Sequence, residues 1–148
     1  IYGKVPIQLN QLPRLIQIID ETNEWAQVAI LETLAGSLEL QTEEDGLALI
    51  EVCTARLSHI NPAVVLAAVR LIVKCTQVIR NPDQLNRVLK KLTPSMISLL
   101  NSPPEMQYIS LRLLRGLIQQ YPGFLHSEFR SFFCNYTDMR CVKIEKVA

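Results

Sequence analysis

The chain has 148 residues, of which 49% are hydrophobic and 20% are charged, and its formal net charge is +1. High apolar content with low net charge excludes an intrinsically disordered chain, and the lack of a basic excess argues against nucleic-acid binding. No uninterrupted apolar stretch approaches the roughly 20 residues that a transmembrane helix needs, since the richest one, residues 62–79, contains Arg70 and Lys74. The length fits one domain, or one part of a larger array.

Apolar residues recur at spacings of three and four along nearly the whole chain, which predicts helix throughout. Glycine is scarce, at five residues, and long alternating runs typical of strands are absent. The predicted helices, in chain order, are 11–20, 24–40, 43–58, 62–79, 82–100, 103–120, 124–134 and a last one that begins at Asp138.

Several helix starts carry recognisable capping residues. Thr42, Asn61 and Asn81 are predicted N-caps, because their side chains can accept hydrogen bonds from the first free N–H groups of a helix. Ser102 and Glu105, three residues apart, predict a capping box.

Three residues inside the predicted helices invite specific expectations. Pro94 should kink or split its helix near Thr93, because proline lacks an N–H and crowds the preceding turn. Trp25 and Tyr108 lie on apolar stripes, so we expect core packing rather than ligand stacking.

The helices fall into pairs, and the pairs repeat. The second helix of each pair begins near residues 24, 62, 103 and 138, at intervals of about 35 to 41 residues. A period of this size with two helices per repeat is typical of an all-α HEAT or armadillo-like superhelix, that is, a solenoid. We therefore predict a solenoid of about eight helices in four pairs; an ordinary four-helix bundle is the competing fold, but it does not predict a repeated pair.

The two ends of the chain suggest a fragment. Ile1 is not a natural start, and the last helical pattern has no glycine or asparagine cap after Val147. We expect residues 1–148 to form a single segment of a longer solenoid, truncated at both ends.

No catalytic constellation is present in the sequence. It has no glycine-rich phosphate loop, no Gly-x-Ser-x-Gly and no His-Glu-x-x-His motif. His59 stands at a predicted helix end, where we expect it to bind terminal carbonyls rather than act as a base. The prediction is a protein that is not an enzyme, with no catalytic residues and no cofactor.

The four cysteines, at positions 53, 75, 134 and 141, predict reduced thiols rather than a metal site. No two have Cys-x-x-Cys spacing, and only two histidines accompany them. We expect all four to be buried, reduced thiols in a cytosolic protein rather than parts of a disulfide or a metal site, and Cys53 and Cys75 lie within apolar helical patterns. A thiol enzyme built around Cys134 or Cys141 is the alternative, for which Arg140 would supply a positive neighbour.

One small basic cluster is a candidate contact surface. Arg87 precedes Lys90 and Lys91 by one helical turn, and the three could bind anionic lipid headgroups or an acidic partner. An ordinary solvated helix face is the alternative.

Five strings of residues occur in the order of a known family. They are Glu24-Trp25-Ala26-Gln27 with Ile30-Leu31 and Leu34-Ala35; Arg56-Leu57-Ser58-His59-Ile60-Asn61 with Ala63-Val64-Val65-Leu66 and Ala68-Val69; Leu89-Lys90-Lys91-Leu92-Thr93-Pro94 with Leu99-Leu100; Pro104-Glu105-Met106-Gln107-Tyr108 with Leu111-Arg112; and Phe132-Phe133, Tyr136, Asp138 and Val142-Lys143-Ile144-Glu145-Lys146. With them the chain resembles part of the N-terminal trunk of beta-adaptin, the beta large subunit of clathrin-adaptor complexes. Ala26 stands where the family more often has glycine and Met139 where proline is usual, and residues 39–53 and 80–86 match poorly, which indicates a divergent member.

The resemblance implies a curved α-solenoid that acts as a scaffold in vesicle-mediated intracellular protein transport and clathrin-coat assembly. Its implied partners are a second large, a medium and a small adaptor subunit, with Arf-family GTPases and phosphoinositide membranes reached through the whole complex. Clathrin is implied to bind a hinge that these residues do not include. The implied location is cytoplasmic and peripheral, on coated vesicles, the Golgi or the plasma membrane.

Two other functions remain open at this point. A free-standing transport receptor of the importin type, or a general protein-binding scaffold, would use the same solenoid without adaptor subunits. The thiol enzyme named above is the second.

Overall fold

A computed structural model of the chain describes residues 9–37, 39–40, 42–125, 130 and 134–147, and regular structure within these ranges is entirely helical. The α-helices are α1 (Leu12–Glu21), α2 (Glu24–Ser37), α3 (Glu43–Thr54), α4 (Pro62–Thr76), α5 (Pro82–Leu99), α6 (Pro104–Gln120) and α7 (Arg140–Val147). Short 3₁₀ helices occupy Leu9–Gln11 and Ala55–Ser58. The all-α class is confirmed, while the helix predicted at 124–134 lies largely outside the described residues.

The chain divides into two compact units, residues 1–88 and 89–148. In the first unit α4 is the central helix, against which both α2 and α3 pack. Its apolar residues point in nearly every direction, so ten of its residues are buried, from Val64 to Thr76. This confirms the prediction that residues 62–79 form a helix covered on more than one side, although the helix itself ends at Thr76.

Polar contacts in the first unit show how its helix pairs are stacked. Each contact joins residues 36 to 39 apart in sequence. Such a constant separation requires equivalent helices to run parallel, one repeat apart, and it agrees with the interval of about 38 residues between the starts of α2 and α4. The contacts are Arg56 to Asp20, Asn61 Nδ2 to Glu24 Oε2 (2.6 Å), Arg70 Nη1 to Glu32 Oε1 (2.9 Å), Lys74 Nζ to the Ala35 carbonyl (2.7 Å) and the Asn81 N–H to Glu43 Oε1 (3.3 Å).

In the second unit α6 and α7 pack together. Leu100, Leu111 and Val142 form a buried apolar cluster. Arg115 Nη1 lies 3.4 Å from Glu145 Oε1, which adds an ion pair between the two helices. The end of α6 is marked by Tyr121 as C-cap. Two residues later Gly123 has a φ of +93°, a left-handed conformation that glycine adopts without strain.

The predicted N-caps are confirmed. In each case a side-chain oxygen accepts a hydrogen bond from a backbone N–H in the first turn. Asn23 caps α2 in the same way, since its Oδ1 accepts the N–H of Ala26 at 2.9 Å. The predicted bonds are Asp45 N–H to Thr42 Oγ1 (3.3 Å), Ala63 N–H to Asn61 Oδ1 (2.9 Å) and Asp83 N–H to Asn81 Oδ1 (3.0 Å).

The capping box predicted at Ser102 and Glu105 is wrong. The N-cap of α6 is Pro103, and no side chain caps this helix. Because a residue before proline is pushed into extended conformation, Pro104 holds Pro103 at φ −52° and ψ 153°. The helix therefore begins one residue too late for Ser102 to reach its free N–H groups.

Of the two outcomes predicted at Pro94, the split is wrong, because α5 continues through it to Leu99, while a kink near Thr93 stays a prediction. Proline removes the N–H that would bond to the carbonyl of Lys90, four residues earlier. Both residues are exposed, and α5 continues without that hydrogen bond. The last predicted helix likewise begins at Arg140 rather than at Asp138.

Candidate interaction surfaces

The three residues of the predicted basic cluster lie on α5, and each is exposed. The four ion pairs among the described residues use other cations, so Arg87, Lys90 and Lys91 take part in none of them. Their charges are open to solvent along the helix. Binding to an anionic surface stays a prediction.

The cysteines divide into two classes, and all four are free. Cys53 and Cys75 are buried, and burial, as the largest cause, raises the pKa of each thiol to about 12. A buried thiol held protonated is a poor nucleophile, so the predicted structural role of these two holds. The prediction of burial is wrong for Cys134 and Cys141, which are exposed; Cys134 Sγ lies 3.7 Å from the Lys143 carbonyl.

His59 is half-buried and holds the turn before α4 together. Its Nδ1 accepts the Asn61 N–H at 3.0 Å. The expected bond to a helix-end carbonyl is therefore wrong, because the ring turns forward to the start of the next helix. The contact is structural and places no substrate site beside the ring.

Trp25 and Tyr108 are not in the core, contrary to the sequence prediction. Trp25 is 78% exposed. It shares one exposed face of α2 with Ala29, Thr33 and Gly36, whereas the buried residues Leu31 and Leu34 lie on the opposite side of the helix. Tyr108 is half-buried, with the Arg112 guanidinium carbon 5.8 Å from its ring centroid, a cation–π distance.

Two open cavities occur within the units. One, in the first unit, has a volume of about 400 Å³, and the other, in the second, about 210 Å³. Among the described residues neither lining contains a histidine or a cysteine. The linings are Thr42, Glu43, Gln77, Val78 and Arg80 in the first, and Leu111, Leu114, Arg115, Ile118, Gln119, Glu145 and Lys146 in the second.

The described part of the chain also lacks a metal cluster and a membrane-spanning helix. No three His, Cys, Asp or Glu side chains there are grouped so that they could hold a metal ion. No helix among the described residues combines the length and apolar composition that crossing a membrane requires.

Comparison with known proteins assigns the family. Residues 7–148 match the adaptin N-terminal region family. The human AP-1 complex subunit beta-1 is 36% identical over 135 residues, which cover 90% of this chain and 14% of the relative. The Saccharomyces cerevisiae AP-1 complex subunit beta-1 is 35% identical over 143 residues, 93% of this chain and 19% of the relative. The Schizosaccharomyces pombe AP-2 complex subunit beta is 28% identical over 135 residues, 90% of this chain and 20% of the relative.

The chain thus spans between 14% and 20% of the length of these three relatives. The family match, by contrast, runs over nearly all of the chain's own residues. The five motifs noted in the sequence and the parallel stacking of helix pairs agree with that match. The chain belongs to the adaptin N-terminal region family.

Proposed function

We propose that the chain is a scaffold segment of an adaptor-complex beta subunit, acting in vesicle-mediated intracellular protein transport and clathrin-coat assembly. The observation that carries the proposal is the family match over residues 7–148, together with relatives named as beta subunits of AP-1 and AP-2 complexes. A role without catalysis is part of the proposal.

The proposed mechanism is geometric. In the first unit, contacts such as Arg70 to Glu32 and Lys74 to the Ala35 carbonyl fix one helix pair against the next. A stack fixed in this way offers its partners surfaces at constant positions. Residues 1–148 would then serve as one segment of a longer trunk.

The proposed partners are a second large, a medium and a small adaptor subunit. Arf-family GTPases and phosphoinositide membranes are proposed to be reached through the assembled complex, at coated vesicles, the Golgi or the plasma membrane. Clathrin binding is not assigned to residues 1–148.

The test is co-purification of the full-length subunit from its own cells, followed by mass spectrometry. Recovery of a second large, a medium and a small adaptor chain in equal amounts supports the proposal. Recovery of soluble transport cargo without any adaptor chain would instead support a free-standing receptor of the importin type.

We further propose that Arg87, Lys90 and Lys91 contact anionic lipid headgroups. A basic side chain near an anionic membrane contributes about 1 kcal/mol. Replacing all three by glutamine should therefore weaken binding to phosphoinositide vesicles by on the order of 100-fold, since about 1.4 kcal/mol corresponds to tenfold.

A matched variant carries the same change at three other exposed cations. If this control loses as much binding as the triple variant, the attraction is a general charge effect. If neither variant loses binding to vesicles, the three residues form a solvated helix face or contact an acidic protein. The control positions are Arg14, Arg80 and Arg140, all exposed.

A further inference from the structure

Two large apolar side chains are exposed at one edge of the first unit. Trp25, in the first turn of α2, is 78% exposed, and Ile60, just before α4, is 93% exposed. Scattered exposed apolar residues are common on protein surfaces, whereas contiguous ones mark interaction sites. Trp25 and Ile60 therefore indicate an interaction site only if they lie close to each other.

Two polar contacts bring their segments together. Asn61 Nδ2 donates to Glu24 Oε2 at 2.6 Å, and Arg56 forms an ion pair with Asp20. Trp25 and Ile60 each stand one residue from the bonded pair Glu24 and Asn61. Since consecutive Cα atoms are about 3.8 Å apart, Trp25 and Ile60 both lie at the edge where the parallel helices α2 and α4 begin.

The charges along this edge are mainly negative. Asp20, Glu21 and Glu24 supply three carboxylates, and the Asp20 side chain is 61% exposed. The opposing charge is Arg56, which pairs with Asp20, donates to the Val52 carbonyl at 3.1 Å and is only 11% exposed in its side chain. An incoming ligand therefore meets apolar surface with negative charge around it.

We propose that this surface, formed by Trp25, Ile60, Asp20, Glu21 and Glu24 and here called the Trp25 edge, binds a basic peptide segment of a partner protein. An apolar side chain of the peptide would pack on Trp25 and Ile60, and flanking Lys or Arg residues would face the carboxylates. Like charges disfavour both an anionic membrane and a second copy of the same acidic edge. The proposal does not depend on membership in an adaptor complex.

The chain supplies its own reporter, because Trp25 is its one tryptophan. The probe is a fluorescein-labelled synthetic peptide of about ten residues, with central Leu and Phe flanked by Lys; its counterpart has Glu in place of every Lys. With the unlabelled basic peptide, tryptophan emission of the 148-residue chain should move to shorter wavelength and saturate, and iodide quenching should fall. The acidic counterpart should produce neither change.

Variants of the edge separate its apolar and electrostatic parts. Trp25→Ser and Ile60→Ser should each weaken binding about tenfold, measured by anisotropy of the labelled peptide. Glu21→Gln should weaken binding about threefold and reduce its dependence on salt. All three positions lie at the surface, so circular dichroism should show an unchanged fold.

Tyr136→Ser is the matched control. Tyr136 is 97% exposed, like the edge residues, but Lys143 Nζ lies 5.6 Å from its ring centroid. A basic peptide should avoid that site, so this change should leave affinity unaltered. Equal binding of the acidic peptide, or equal loss in the Tyr136 variant, would overturn the proposal. So would a concentration-dependent emission shift of the chain alone, which would identify a second copy as the occupant.

Discussion

The contact between α3 and the residues that follow α4 leads to a quantitative prediction at Gly46. A β-carbon added at Gly46 would lie 2.7 Å from Val78 Cγ2 and 3.4 Å from the Cys75 carbonyl oxygen. Carbon atoms in contact normally lie about 3.5–4.0 Å apart, so the first distance is a clash. Val78 cannot easily rotate its methyl group away, because β-branched side chains are stiff at χ1.

Two opposing effects decide the stability of Gly46→Ala. Alanine is favoured over glycine inside a helix by about 1 kcal/mol. Overpacking a filled site costs about 1–3 kcal/mol. We therefore expect the free energy of unfolding, measured by urea denaturation and circular dichroism, to fall by about 1 kcal/mol.

Two further variants test the reasoning. Gly116, in the middle of α6, has nothing within 4 Å of its added β-carbon, so Gly116→Ala should stabilise the chain by about 0.5–1 kcal/mol. Adding Val78→Ala to Gly46→Ala removes the clashing methyl groups, and the two changes should therefore be coupled. The packing argument is refuted if Gly46→Ala stabilises the chain as much as Gly116→Ala does.

Three other predictions follow from burial and hydrogen bonding. In the native chain a thiol reagent such as DTNB should modify the exposed Cys134 and Cys141 quickly and the buried Cys53 and Cys75 slowly. Unfolding should make the four modification rates equal. Pro94→Ala restores an N–H to a continuous helix and should raise the free energy of unfolding by about 1 kcal/mol or more. Asp138→Asn should lower it by about 2 kcal/mol at pH 7, because Asp138 accepts a 2.7 Å bond from Lys146 and both side chains are at most 7% exposed. The pKa of Asp138 is lowered, and the hydrogen bond from Lys146 is the largest cause. The stabilisation that this carboxylate provides should therefore be present above the ordinary carboxyl pKa and be lost as the pH falls through the lowered value. Urea denaturation at a series of pH values measures this loss of stability.

Each of these outcomes can fail in a recognisable way. Fast labelling of Cys53 in the folded chain would contradict its burial. A loss of stability in Pro94→Ala would mean that the helix is interrupted there after all. The same stability-against-pH curve in the parent chain and in Asp138→Asn would show that this carboxylate does not stabilise the fold.

Much of the fold could be predicted because helix-start residues and apolar spacing make the repeated helix pair visible in the sequence. The Asn61-Pro62 helix start and the apolar run behind it placed α4 correctly, and the interval of about 38 residues reappears as the sequence separation of Arg70 and Glu32. The period fixes which residues are equivalent. It does not state which side chains cross from one repeat to the next.

The wrong predictions came from sequence rules that consider only neighbouring residues and not the packing or backbone restrictions around them. A spacing of three residues predicted that Trp25 shares a face of α2 with Leu34, but at 3.6 residues per turn three such steps place the two on opposite sides of the helix. The capping box predicted at Ser102 neglected the restriction that two consecutive prolines impose. The split predicted at Pro94 did not occur, because α5 tolerates the loss of one backbone hydrogen bond. Ile60 lies between the 3₁₀ helix Ala55–Ser58 and α4, where helical periodicity makes no prediction about burial.

Native mass spectrometry of the full-length subunit, purified gently from its own cells, tests the central claim most directly. The adaptor account predicts one dominant mass equal to the sum of this subunit, a second large chain, a medium chain and a small chain, one copy of each. A dominant mass of the subunit alone would contradict that account and leave a helical scaffold whose partners lie elsewhere.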